Sequence, residues 1–245
     1  MLALAALVFL SGCASLHMEQ RNDPPPGDKP ILLVHGFGDS YWLPQWQRLI
    51  EYLQKLNYDP EQIRRVNLGS IPGTTVRSPR RYGEIICSQL NSSRSNQQYD
   101  IIAHSMGGLS ARWCVQMLDG HTKVDDLITL GTPHQGVGGL LKTTEWFHYF
   151  GWRPPEGISE MQPDGEFIRT INESPLPESV EFTAVWSSYD YVYFLSEYWQ
   201  NKNAYYPDPL VKQTNVTNRR IPFVAGHLDL ISSKRVLLYY SSQLD

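Results

Sequence analysis

From position 31 onward the chain alternates short, unbroken apolar runs with longer stretches in which apolar residues recur every three or four positions. The runs at 31–35, 63–68, 100–104, 127–130, 180–186 and 221–225 are rich in Ile, Val and Leu, the composition of strands buried on both faces. Between them, 43–57, 79–91, 107–118 and 230–242 carry the spacing of amphipathic helices. Strands alternating with helices predict an α/β architecture: a mostly parallel central sheet with crossover helices on both faces.

Two stretches break the alternation. Residues 136–178 begin "GVGGLLKTTEWFHYFGWRPPEG", and residues 189–219 include "YDYVYFLSEYWQNKNAYYPDPL". Long insertions of this kind are lids or binding loops, or else helical padding over the sheet, and the pattern leaves both open. In the first, Trp146, Phe147, Tyr149, Phe150 and Trp152 fit either a cover over an acyl pocket or a small satellite core.

The N-terminus reads differently. "MLALAALVFLSGCASLH" holds an apolar run too short to span a bilayer but suited to a secretory signal, and it ends in Leu10-Ser11-Gly12-Cys13. That ending resembles a bacterial lipobox, which implies cleavage before Cys13 and acylation of its thiol. The expected organisation is a signal peptide over 1–12, a polar, Pro-rich tether over 13–29 and a catalytic domain over 30–245. It places the protein outside the cytoplasm, lipid-anchored to a bacterial membrane or otherwise secreted.

Composition narrows the partners. With 21 Lys+Arg against 25 Asp+Glu, a net charge of −4 and no long basic block, the chain is not built to neutralise a nucleic-acid backbone. Setting Cys13 aside leaves Cys87 and Cys114, both on predicted helices and expected to be buried free thiols, with a disulfide between them the alternative in an oxidising compartment. No Cys/His spacing marks a metal site, and neither a P-loop nor a GxGxxG turn marks a nucleotide cofactor.

The candidate chemistry centres on "YDIIAHSMGGLSARW", residues 99–113, in which a strand runs into Ser105 and a helix follows at once. This is the setting of a nucleophile elbow, in which a sharp turn holds the serine hydroxyl above the sheet. The usual G-x-S-x-G is here Ala103-His104-Ser105-Met106-Gly107, and one extra methyl at Ala103 leaves the turn feasible. A serine hydroxyl is a weak nucleophile, so it needs a base and a group to orient that base. Those partners should follow in the order acid, then histidine, at the ends of later strands. His227, in "RIPFVAGHLDLI", is the histidine after Ser105 that sits just past a late apolar run, and Asp190, in "VEFTAVWSSYD", is the matching acid. Asp229 belongs instead to the start of the last helix. Two backbone amides must also face the developing oxyanion, and Met106 and Phe37, the latter in "ILLVHGFGDS", are the candidates. In that same turn His35 braces the loop and Asp39-Ser40 cap the next helix.

The segments "HGFGDS", "AHSMGG", "LGTPHQG", "SSYDYV" and "GHLDLI", spread over 30–245, resemble bacterial lipases and esterases of the α/β-hydrolase fold, in particular small lipases with alanine in the elbow. The resemblance implies the same roles for Ser105, Asp190, His227, Phe37 and Met106, a lid-like insertion, no catalytic role for His134, and hydrolysis of lipid acyl esters through an acyl-enzyme on Ser105. Phospholipase, thioesterase and acyltransferase chemistry share these parts and stay open. A silent binding scaffold would have no need of all of them.

Overall fold

The computed structural model describes residues 29–68, 75–93, 97–137, 155–190, 214–241 and 244. Cys13, nearly all of the tether, and the aromatic group from Trp146 to Trp152 lie outside the described residues.

Six strands form one parallel sheet: β1 (Ile31–Val34), β2 (Ile63–Arg65), β3 (Tyr99–His104), β4 (Val124–Leu130), β5 (Glu181–Trp186) and β6 (Val216–Arg220). Their order is β2-β1-β3-β4-β5-β6. The central strands are apolar on both sides because both sides are covered. Leu32, Val34, Ile101, Ala103, Leu127, Phe182 and Ala184 face one core, and Ile31, Leu33, Ile102, Ile128, Leu130 and Val185 face the other.

The first core is closed by α2 (Pro79–Asn91), α3 (Met106–Met117) and α5 (Glu166–Glu173). The second is closed by α1 (Pro44–Lys55), α6 (Asp229–Ser232) and α7 (Lys234–Tyr240). A short α4 (Glu156–Glu160) precedes α5. Helix α2 starts where Ser78 Oγ accepts the Arg81 amide (3.2 Å), with Pro79 in the first turn, so cap and proline agree on the boundary.

Three expectations are corrected. The strand expected at 221–225 is instead β6 at Val216–Arg220, inside the stretch taken as an insertion. An edge strand reads as polar, and here Arg219 and Arg220 lie over the rings of Tyr239 and Trp186. The apolar run after it is a loop that buries Ile221 and Ala225. The helix expected at 230–242 is two helices, broken at Ser233, whose ψ of 120° is extended. Of the two readings left open for 136–178, the described helices fit padding over the sheet: Phe167, Ile168 and Ile171 of α5 join the first core.

The third correction concerns Cys87 on α2 and Cys114 on α3, which are bonded in a disulfide rather than free. Neither spacing nor local pattern revealed this, because it depends on α2 lying beside α3 with the two Cα atoms 5.4 Å apart. The loop it closes is worth about 3–4 kcal/mol by chain entropy. No helix of the described residues is long and apolar enough to cross a membrane.

Candidate active site

A parallel sheet sends every strand's carboxyl end to the same edge, which is where open α/β sheets place ligands. At that edge the residues following β1, β3, β4, β5 and β6 converge.

Ser105 follows β3 directly and precedes α3. Its φ of 54° and ψ of −131° lie where a residue with a side chain rarely sits, at a cost of about 1–3 kcal/mol. The turn is held by the Ser105 amide on the Leu130 carbonyl (2.9 Å) and the Gly108 amide on the Ser105 carbonyl (3.0 Å). It is also very crowded: a Cβ on Gly36 would come 2.7 Å from Ser105 Cβ, and one on Gly107 would come 2.6 Å from the His35 carbonyl oxygen. Ala103, by contrast, is wholly buried in the first core, in register with Val34 and Thr129.

His227 lies in the loop between β6 and α6, and its Nδ1 is 2.7 Å from Asp190 Oδ2. Both side chains are about 5% exposed. Asp190 follows β5, with its amide on the Ser187 carbonyl (3.2 Å). Beneath the pair, β4 ends at Gly131, whose φ is 56°. A Cβ there would meet Leu230 Cδ1 at 2.8 Å, Asp190 Oδ2 at 2.9 Å and His227 Nδ1 at 3.1 Å. Sequence reasoning missed Gly131, whose role shows only once β4, β5 and the His227 loop are side by side.

Ser105, His227 and Phe37 line one cavity of about 260 Å³. Leu43, Ile158, Met161 and Leu228 supply apolar wall, and Asp39, Gln45 and His104 a polar end. Met106 is the first residue of α3, so its amide has no intrahelical acceptor, and the positive end of the 12-residue helix points at the turn. Among the described residues, then, Ser105, His227, Asp190, Phe37 and Met106 all belong to one locality, while Cys13 lies outside them.

The remaining buried histidines have other partners. His134 sits between Arg112 Nη1 (3.2 Å on Nδ1) and Thr129 Oγ1 (3.0 Å on Nε2). Burial, then Arg112, hold its pKa well below the ordinary value, so it is a neutral brace. His35 packs edge-on against Tyr41 with ring centroids 4.7 Å apart. Asp39 and Ser40 do not cap α1, whose N-cap is Leu43 with no side-chain bond. Asp39 instead accepts from Trp46 Nε1 (2.9 Å) and from the Ser40 amide (2.7 Å). Burial pushes its carboxyl up, but His104, Trp46 and Ser40 together hold it below the usual range. Asp229 opens α6 and accepts the Gly226 amide at 2.9 Å.

Among the described residues, one group of acids brings its carboxylates within 4.8 Å of one another: Asp100, Asp125 and Asp126, with Lys29 paired to Asp125. They lie near the amino ends of β3 and β4, about 16 Å of strand away from Ser105, and take no part in the site.

The sequence model of the palmitoyl protein thioesterase family matches residues 30–214. The chain belongs to that family. The mature lipase BlEst2 of Bacillus licheniformis superposes with a TM-score of 0.62 at 16% identity, covering 91% of this chain and 94% of that one. Lipase B of Aspergillus fumigatus gives 0.57 at 17% identity, covering 83% and 49%. The alpha/beta hydrolase domain-containing protein 10 from mouse gives 0.56 at 14%, covering 89% of each chain. At such identities the likeness shows the fold, that of the α/β-hydrolases. This member of the palmitoyl protein thioesterase family is a carboxylic ester hydrolase of that fold.

Proposed function

We propose that Ser105 is the nucleophile of an acyl hydrolase, with His227 as its general base and Asp190 as the acid that orients it. One observation carries the reading: Ser105, in its positive-φ turn, opens into a cavity it shares with His227, whose Nδ1 is tied to Asp190. His227 Nε2 takes the hydroxyl proton as Oγ attacks the acyl carbonyl, and Asp190 stabilises the imidazolium that forms. The amides of Phe37 and Met106 receive the oxyanion. The proton then passes to the leaving group, and water, activated the same way, releases the acid.

The family match favours a long-chain acyl thioester as substrate over an oxygen ester. Chemistry makes a thioester easy to accept: a cysteine thiolate leaves with a conjugate-acid pKa of about 8.5, so it needs little help from an imidazolium. The apolar wall of Phe37, Leu43, Ile158, Met161 and Leu228 suits an acyl chain. We also read Cys13 as the acylated residue of a lipoprotein held at a bacterial membrane. A tether over 13–28 spans at most about 55 Å, enough for the cavity to reach a membrane-borne substrate.

The test is hydrolysis of a palmitoyl thioester and a palmitoyl oxygen ester by the wild type and by Ser105→Ala. Loss of at least about 10⁴-fold on both by the variant is expected, with the thioester the faster wild-type substrate. Retained turnover by the variant contradicts the nucleophile, and a faster oxygen ester contradicts the thioester preference.

A further inference from the structure

Behind the Asp190–His227 pair lies a second contact between a histidine and a carboxylate. His104 immediately precedes Ser105 and is 2% exposed. Its Nε2 is 3.1 Å from the main-chain carbonyl oxygen of His227, and the two imidazole centroids are 4.4 Å apart. On its other side, Nδ1 is 3.8 Å from Asp39 Oδ2. Asp39 is itself fixed by the indole of Trp46, the Ser40 amide and, at 3.5 Å, Gln45 Nε2. At 3.8 Å Nδ1 is not hydrogen-bonded to Asp39, so the bond to the His227 carbonyl is the hydrogen bond that the His104 ring makes.

A carbonyl oxygen only accepts, so Nε2 of His104 holds the proton in that bond. Burial, then the nearby His227, keep His104 below its ordinary pKa, and Asp39 only partly opposes them. A neutral imidazole with Nε2–H is therefore the working form at neutral pH. His227 sits in the turn closed by the Asp229 amide on the Gly226 carbonyl (3.0 Å) and by the Gly226 amide on Asp229 Oδ2 (2.9 Å). The bond from Nδ1 to Asp190 orients its ring, and the bond from His104 ties the main chain of that turn to the end of β3. Because His104 adjoins Ser105 in sequence, that tie refers the base to the nucleophile itself.

We propose that His104 is a positioning residue: by donating Nε2–H to the His227 carbonyl, it sets the approach of the His227 imidazole to Ser105. This rests on the reading of Ser105, Asp190 and His227 given above. It asks nothing of His104 as an acid or base, and no substrate contact.

The test compares His104→Gln with His104→Asn in the full chain, measuring kcat and KM on a p-nitrophenyl acyl ester. Gln carries an amide donor about as far out as Nε2, whereas Asn falls one carbon short of the carbonyl. The Asn variant should lose about 10- to 100-fold in kcat with KM changed by less than about threefold, as for a base misplaced by about 1 Å. The Gln variant should recover to within about fivefold of wild type. Equal kcat for the two variants, or a loss confined to KM, would overturn the proposal. Should the Asn variant fail to fold, His104→Phe, which keeps a ring in place and removes the donor, is expected to lower kcat at constant KM, and an unchanged kcat overturns it equally. Labelling of wild-type Ser105 by a fluorophosphonate keeps the two claims apart. A labelled Ser105 with indifferent His104 variants sinks this inference alone, whereas an unlabelled Ser105 sinks the triad on which it rests.

Discussion

Ser105, Asp190 and His227 were legible because each is announced by what precedes it: an apolar run, then a polar residue where the run stops. Gly131 and His104 were not, because their significance consists of contacts across the fold, to Asp190 and His227 in one case and to His227 and Asp39 in the other. Ala103, the departure from the usual elbow, proves undemanding, since its methyl points into the first core rather than at the turn. The demanding positions are glycines. Gly131→Ala would set a methyl within 2.9 Å of Asp190 Oδ2 at a φ of 56°. Backbone strain and the displaced carboxylate together should cost about 1–3 kcal/mol of stability, and kcat should fall at least about tenfold. Thermal melts and steady-state kinetics on the same sample check both. Wild-type kcat in Gly131→Ala would mean that the floor under the Asp–His pair is not critical.

The elements that were read well are those whose pattern reflects burial. The span of α2 matches the pattern to the residue, β3 starts one residue earlier than expected, and α3 lies one residue earlier at both ends. The elements misread are those whose environment is mixed. β6 is an edge strand of polar residues, and the apolar run that follows it buries its side chains without pairing its backbone. β3 also carries an element-level liability at its far end. Asp100 is fully buried, and burial, followed by the charge of Asp126, pushes its carboxyl up to about 7, with Lys29 pulling the other way. Between the ordinary value near 4 and about 7, the folded chain keeps a proton that the unfolded chain has lost. The fold binds more protons there, so this group's contribution falls as pH rises through that window and is flat above it. Asp100→Asn, neutral and of the same shape, should remove the penalty. The variant should be about 2 kcal/mol more stable than wild type at pH 8, with little difference at pH 4. Urea unfolding at the two pH values reads this directly, and a variant less stable at pH 8 would contradict it.

At the scale of the whole molecule, the sheet separates two kinds of demand. Its amino edge holds a crowded acid cluster and Lys29. Its carboxyl edge holds a strained serine, a glycine floor and two linked histidines around one cavity. The disulfide between α2 and α3 ties together two helices of one face without entering the site, and it shows how little helix-level patterns say about pairing across the fold. Membership of the palmitoyl protein thioesterase family sets the reaction class, and the carboxyl edge is where we propose the groups that such a reaction requires. The central claim, that Ser105 becomes acylated, is tested most directly by mass spectrometry of the protein quenched during turnover of a palmitoyl thioester, with the peptide bearing residue 105 sequenced. A palmitoyl adduct on Ser105, absent from Ser105→Ala, is the predicted result. Turnover with the acyl group on any other residue, or on none, would contradict it.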